Sequence, residues 1–167
     1  MNAPVRYYAG IGSRQTPPAV LLWMEQIGYQ LGQAGWCLRS GGAKGADSAF
    51  ESGCNRAEGK KQIFYAEDCT TYARNLAAIY HPAWDRCSEY ARKLHGRNMM
   101  ILQGRDLRAE DEVFCVICWT PNGHTIGGTG QAIRAATQWG IPIFNLAIPS
   151  TEHRLRTMMR RNFGGIE

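Results

Sequence analysis

Apolar residues recur along the chain in two rhythms. Val20, Met24, Ile27 and Leu31 return at intervals of four, three and four, which places them on one face of a helix. Trp36-Cys37-Leu38 and Val113-Phe114-Cys115-Val116-Ile117-Cys118 are continuous apolar runs, the mark of strands buried on both faces. Val5 to Ala9, Lys61 to Tyr65 and Pro142 to Leu146 have the same strand character. Helical spacing returns at Ala46 to Ala57, Asp85 to Gly96, Gln131 to Trp139 (with Ala132, Ala136 and Trp139 inward) and in a basic segment from Thr151 to Arg161. The stretch from Ala66 to Trp84 shows no clear period and contains His81-Pro82, so an excursion over the surface is expected there.

Local punctuation agrees with these elements. Thr16 is expected to cap the first helix with Pro17 at its first position, and Thr129 to cap the helix that begins near Gln131. Gly35 and Gly140 stand where helices should stop. Strands alternating with helices predict an α/β chain, a Rossmann-like three-layer fold with a mostly parallel sheet, in one domain over residues 1–167. In such sheets ligands bind beyond the carboxyl ends of the strands, where strand order reverses.

Glycines follow the strands in three places: Gly10-Ile11-Gly12-Ser13-Arg14, Ser40-Gly41-Gly42-Ala43-Lys44-Gly45-Ala46-Asp47 and Gly127-Gly128-Thr129-Gly130. A strand that turns through glycines into a helix presents unpaired N–H groups and the positive end of the helix dipole to an anion. Lys44 and Arg39 can supply charge to the second turn, and Ser13 and Arg14 are expected to point at a ligand from the first. One such turn is equally well an ordinary strand-to-helix connection; three on one rim describe a polyanion or nucleotide site. The first turn is not a dinucleotide fingerprint, because Gln15 replaces its third glycine and Arg39 stands where the second strand should close on an acid.

Composition narrows the classes. With 44% apolar and 20% charged residues the chain is that of an ordinary globular protein. No apolar run approaches the ~20 residues of a membrane span, and no secretory signal is visible at the start, so a cytoplasmic protein without membrane contact is expected. Six cysteines do not read as a disulfide framework in a chain with a sizeable core. Cys115 and Cys118 lie three apart in a strand and should face opposite sides, which argues against a zinc clip or a redox pair. No metal ligand set and no cofactor are read from the sequence.

The net charge is +5, with arginines crowded at Arg154, Arg156, Arg160 and Arg161 and in the middle at Arg86, Arg92, Arg97, Arg105 and Arg108. Such a balance suits a phosphate-bearing partner, and a solvated basic face would look the same. Tyr72, Tyr80, His81 and Trp84 can stack on a base or simply cover the core.

The segments Gly10-Ile11-Gly12-Ser13-Arg14, Ser40-Gly41-Gly42-Ala43-Lys44-Gly45-Ala46-Asp47 and Arg97-Asn98 resemble, in order, three motifs of the Rossmann-like core of the DNA-processing protein A (DprA/Smf) family. Gly127-Gly128-Thr129-Gly130 resembles the glycine-rich segment of the related LOG phosphoribohydrolases. Together they point to the SLOG superfamily, its small phage-type members included. The resemblance implies a nucleotide- or nucleic-acid-binding fold, often a homodimer, with phosphate roles for Ser13, Arg14, Ser40, Gly42 and Lys44; Gly12, Gly41, Asp47, Arg97, Asn98, Gly127, Gly128, Thr129 and Gly130 complete the expected ligand- and phosphate-binding set. It covers residues 5 to 147, without the additional modules of many DprA proteins.

The chain departs from the LOG pattern, which reads P-G-G-x-G-T-x-x-E with the Glu assisting cleavage of an N-glycosidic bond. Ile126, Gln131 and Arg134 stand at the Pro, Thr and Glu places. Losing one such stabilising group typically costs about 2.7 to 4 kcal/mol of transition-state stabilisation. Asp47 and Glu51, one helical turn apart, are the remaining candidates for acid–base work. Three readings follow: a binder of a nucleotide or nucleotide-derived small molecule; a single-stranded DNA binder that adds Arg97 and the C-terminal arginines to the same loops; and, disfavoured by Arg134, a nucleotide N-glycosidase.

Overall fold

The computed structural model describes residues 3–163. Its strands are β1 (Tyr7–Gly10), β2 (Cys37–Ser40), β3 (Lys61–Ile63), β4 (Cys115–Cys118) and β5 (Ile143–Asn145). Its helices are α1 (Pro18–Gln33), α2 (Ala46–Arg56), α3 (Thr71–Tyr80), α4 (Glu89–Gln103), α5 (Gly127–Gln138) and α6 (Thr151–Phe163). The strands form one sheet in the order β3-β2-β1-β4-β5, and every pairing among the described residues is parallel. Strand order reverses between β1 and β4. This is a Rossmann-like three-layer α/β fold.

The apolar runs explain the layering. Along β4, Cys115 and Ile117 enter one core with Tyr8, Met24, Ile27, Leu31, Phe50 and Leu155, from the α1, α2 and α6 side. Val116 and Cys118 enter the other with Ala73, Ala77, Met99 to Leu102, Ala132 and Ala136, from α3, α4 and α5. A period of two with both faces covered is why that run carries no polar residue. The alternation also separates Cys115 from Cys118 as expected, and all six cysteines are free. The expected stops hold as well: Gly35 and Gly140 follow α1 and α5 with φ of +83° and +73°.

Four expectations about elements are corrected. The segment from Ala66 to Trp84 is not an irregular excursion, because it holds α3, capped by the Thr70 hydroxyl accepting from Ala73 N–H at 3.1 Å. Its buried face is made of Ala73 and Ala77, which favour helix strongly but scarcely mark a hydrophobic rhythm. The next helix does not stop at Gly96; α4 starts after Ser88 and continues to Gln103. Gly96 is there for close packing, since a Cβ would stand 3.0 Å from the Arg74 nitrogen of α3. Thr16 does not cap α1, which begins at Pro18, and Thr129 does not cap α5, which already begins at Gly127.

Among the described residues, no helix is long and apolar enough to cross a membrane.

Candidate functional site

The three glycine turns meet at the carboxyl edge of the sheet, beside the reversal of strand order. The chain leaving β1 stays paired with the chain leaving β4, Ile11 N–H donating to the Ile117 carbonyl at 3.1 Å and Ser13 N–H to that of Trp119 at 3.0 Å. The Thr16 hydroxyl donates to the Ser13 carbonyl at 2.6 Å and closes the first turn. Gly12 lies against the start of α2, where a Cβ would stand 2.6 Å from the Ala46 Cβ. Gly45, the residue before α2, has φ of +95°, a conformation that excludes most side chains.

Beneath the second turn lies a buried clasp. The Asp47 carboxylate accepts from Gly41 N–H at 3.2 Å and Ala43 N–H at 3.3 Å. Arg97, reaching across from α4, donates to the carbonyls of Gly41 at 2.7 Å and Phe64 at 3.0 Å. Burial pushes the Asp47 carboxyl up to about 6, with the Arg97 charge and the two backbone donors pulling the other way. Arg97 is only 9% exposed, and burial lowers its affinity for its proton against the pull of Asp47. A Cβ on Gly41 would overlap the Arg97 guanidinium and come within 2.8 Å of the carboxylate, so only glycine fits above the clasp.

This geometry sorts the residues expected at the site. Arg14, Gly42, Lys44, Gly127 and Gly128 are exposed on the rim, with Gly12, Ser13 and Thr129 half-buried beside them. Arg14 and Lys44 are in no ion pair among the described residues. Five others hold the loops from behind. Gly41, Asp47 and Arg97 belong to the clasp; the Ser40 hydroxyl is fully buried and donates to the Gly10 carbonyl at 2.6 Å; Asn98 donates to the Gly128 carbonyl at 3.2 Å and to Gln131 Oε1 at 3.3 Å. Gly130 is buried where a Cβ would meet the Thr125 backbone. Thus Arg97 and Asn98, neighbours on α4, each brace a different glycine turn.

Other candidates are drawn elsewhere. Glu51 pairs with Lys61 at 2.7 Å, so it does not share a task with Asp47. Arg39 is 2% exposed, donates to Gln62 Oε1 at 2.8 Å and lies 3.8 Å over the Tyr7 ring, which removes it from the second turn. Arg134 donates to the carbonyls of Tyr80 at 3.2 Å and Thr125 at 3.3 Å, tying α5 to the end of α3. Tyr80 and Trp84 pack on the core, Tyr80 accepting from Trp139 Nε1 at 2.7 Å, whereas Tyr72 is 62% exposed. Near the start of α6, Arg154 lies over the Phe144 ring at 5.1 Å and Arg156 pairs with Glu152 at 2.9 Å. Phe163 packs edge-on to Trp36, just before β2, so Arg160 and Arg161 lie toward the opposite edge of the sheet, on the order of 14 Å from Thr151 at ~1.5 Å per helical residue.

Capping chemistry distinguishes the helices of the rim. Helices α3 and α4, which no glycine turn precedes, are capped by Thr70 and Ser88. Helices α1, α2 and α5, which follow the three glycine turns, have no side-chain cap, α1 opening with prolines instead. At the start of α2, Ser48 N–H is taken by the Ala43 carbonyl at 3.1 Å, while the helical N–H groups ahead of it and those of the first turn of α5 have no side-chain acceptor among the described residues. Asp47, in the first turn of α2, is turned back to Gly41 and Ala43.

The sequence reading missed two groups. Tyr65, half exposed, stands against the second turn, with its Cε1 2.6 Å from where a Gly42 Cβ would lie. Its position after β3 carries no motif. The other is a cluster of His81, Cys87 and His95, whose candidate ligand atoms lie within 4.8 Å of one another. The imidazole rings are 4.5 Å apart, and Cys87 Sγ is 3.5 Å from His81 Nε2 and 3.8 Å from Nδ1. Burial, with the neighbouring His81, holds His95 down to about 4, so its ring is neutral at ordinary pH. The spacing matches no metal motif because the three residues come from the end of α3, the following turn and the second turn of α4. No family model matches the chain, and no curated protein or solved structure matches it either.

Proposed function

We propose that the chain is a nucleotide-phosphate-binding protein, holding a nucleotide or nucleotide-derived small molecule at the glycine turns. The observation that carries this reading is that none of the helices following the glycine turns, α1, α2 and α5, has a side-chain cap, whereas α3 and α4 are capped by Thr70 and Ser88. Arg14 and Lys44 add exposed charge without acidic partners, and Tyr65 adds an aromatic surface for a base. The resemblance of the first two turns to the DprA core, and of the third to the LOG enzymes, agrees with phosphate recognition.

A binder is favoured over a hydrolase because the carboxylates available for acid–base work are committed: Asp47 to Gly41 and Ala43, Glu51 to Lys61. Arg134, at the place of the LOG glutamate, serves as a strut. A small ligand is favoured over a DNA strand because Arg97 is buried and Arg160 and Arg161 are remote from the rim.

Native mass spectrometry of freshly purified protein, followed by identification of what denaturation releases, tests the proposal beside a Lys44→Ala variant. The expected result is a nucleotide carried by the wild type and lost from the variant, with affinity falling about tenfold to a hundredfold for one charge-assisted contact. Protein that carries and binds no nucleotide, yet binds oligonucleotides with a log–log salt slope of ~0.7 per phosphate contact, refutes the small-ligand reading. Conversion of the bound nucleotide to free base refutes the assignment as a binder.

A further inference from the structure

We propose that His81, Cys87 and His95 form a binding site for a divalent d-block cation, zinc being the best match to one thiolate and two imidazoles. Three separate pieces of chain bring these groups together: the residue after α3, the turn before α4 and the buried side of α4. The spacing suits a metal. Bond lengths of ~2.0–2.1 Å to nitrogen and ~2.3 Å to sulfur in a tetrahedron put N and S about 3.5 Å apart, and Cys87 Sγ stands 3.5 and 3.8 Å from the two His81 nitrogens.

A second observation points the same way. His95 is 9% exposed, and its Nδ1 is a buried polar atom with no hydrogen-bond partner among the described residues. Such an atom costs free energy unless something satisfies it. His81 Nδ1 accepts from Ala83 N–H at 3.0 Å, so it is the unprotonated nitrogen, and coordination there, 3.8 Å from Cys87 Sγ, exchanges that hydrogen bond for a bond to the metal. Cys87 is half-buried and accessible.

Binding converts the Cys87 thiol to a metal thiolate and releases its proton to solvent. The thiolate charge is needed there, because Arg92 lies over Trp84 at 5.3 Å and Arg134 is anchored to the Tyr80 carbonyl on the same side. With three protein ligands, the fourth position of a tetrahedral ion stays open to water or a small ligand. The cluster involves none of the rim residues and stands independently of the nucleotide reading.

The test is titration of chelator-stripped full-length protein with Co²⁺ and, in competition, with Zn²⁺. The expected result is one Co²⁺ per chain, with the absorption of a tetrahedral ion and a sulfur-to-cobalt charge-transfer band. Cys87→Ser should abolish that band, Cys69→Ser should leave it intact, and Cys87→Ser and His95→Gln should each weaken Zn²⁺ binding by about tenfold or more. Circular dichroism checks that the variants are folded, and Cys87→Ser decides the matter if His95→Gln is not. Wild type without the band, or a band that survives Cys87→Ser, overturns the proposal.

Discussion

Replacing Asp47 with asparagine should change how stability depends on pH. The Asp47 carboxyl is held at about 6 in the folded protein against an ordinary value of 3.8, chiefly because it is buried beneath the second glycine turn. Between those values the folded state binds the proton more tightly than the unfolded state does, so the wild type loses stability as pH rises through the interval. The difference between 3.8 and about 6 corresponds to about 3 kcal/mol at ~1.36 kcal/mol per pH unit, fully lost above the folded value and fully present below the unfolded one. The amide in the Asp47→Asn variant cannot titrate there, yet its oxygen can still accept from Gly41 and Ala43. Urea unfolding of both proteins, followed by tryptophan fluorescence at about pH 4 and about pH 7, isolates the effect; pH-independent consequences of the substitution cancel in the double difference. The wild type should lose about 2 kcal/mol relative to Asp47→Asn between the two conditions, since at about pH 4 the unfolded carboxyl is already part ionised. Parallel pH profiles, or a relative gain by the wild type, would show that Asp47 is not held as a buried, proton-avid clasp.

Further outcomes follow from the same contacts. Arg97→Leu should lower unfolding free energy by about 2–3 kcal/mol, because it leaves the Gly41 and Phe64 carbonyls without their charged donor and removes the charge that favours the Asp47 carboxylate; Arg97→Lys should recover part of that in the same urea titration. Arg134→Glu restores the carboxylate of the LOG pattern but removes the strut to Tyr80 and Thr125. It should cost about 1 kcal/mol and release no free base from a nucleoside 5′-monophosphate by chromatography. Thiol labelling should divide the cysteines by burial: Cys115 and Cys118, pushed up to about 12 by burial, should resist a disulfide reagent at neutral pH until the protein unfolds, while half-buried Cys69 and Cys87 react first.

Much of the fold was legible because it is written in short-range patterns. The run from Val113 to Cys118, the spacing of Val20, Met24, Ile27 and Leu31, and the stops at Gly35 and Gly140 each express rules that act within a few residues. The rim was legible for the same reason, since a glycine turn after a parallel strand must lie at its carboxyl edge. What the pattern hid was also local in origin: α3 packs through alanines, and Gly96 is read as a helix breaker until α3 is seen pressed against it.

The sequence by itself therefore determined the α/β alternation, the buried strands and the gathering of three glycine turns on one edge. Only the tertiary structure decided what the charged residues around those turns do. Asp47, Arg97 and Asn98 look like ligand contacts in a motif, but Arg97 finds its carbonyl partners 56 and 33 residues away and Asn98 its partner 30 residues away. Those separations are closed by the order of strands in the sheet. The same order leaves α2 and α5 uncapped at the rim and brings His81, Cys87 and His95 together behind it. Hydropathy and helix propensity act along the chain, whereas burial of a charge and the meeting of ligand atoms depend on which distant segments the sheet makes neighbours.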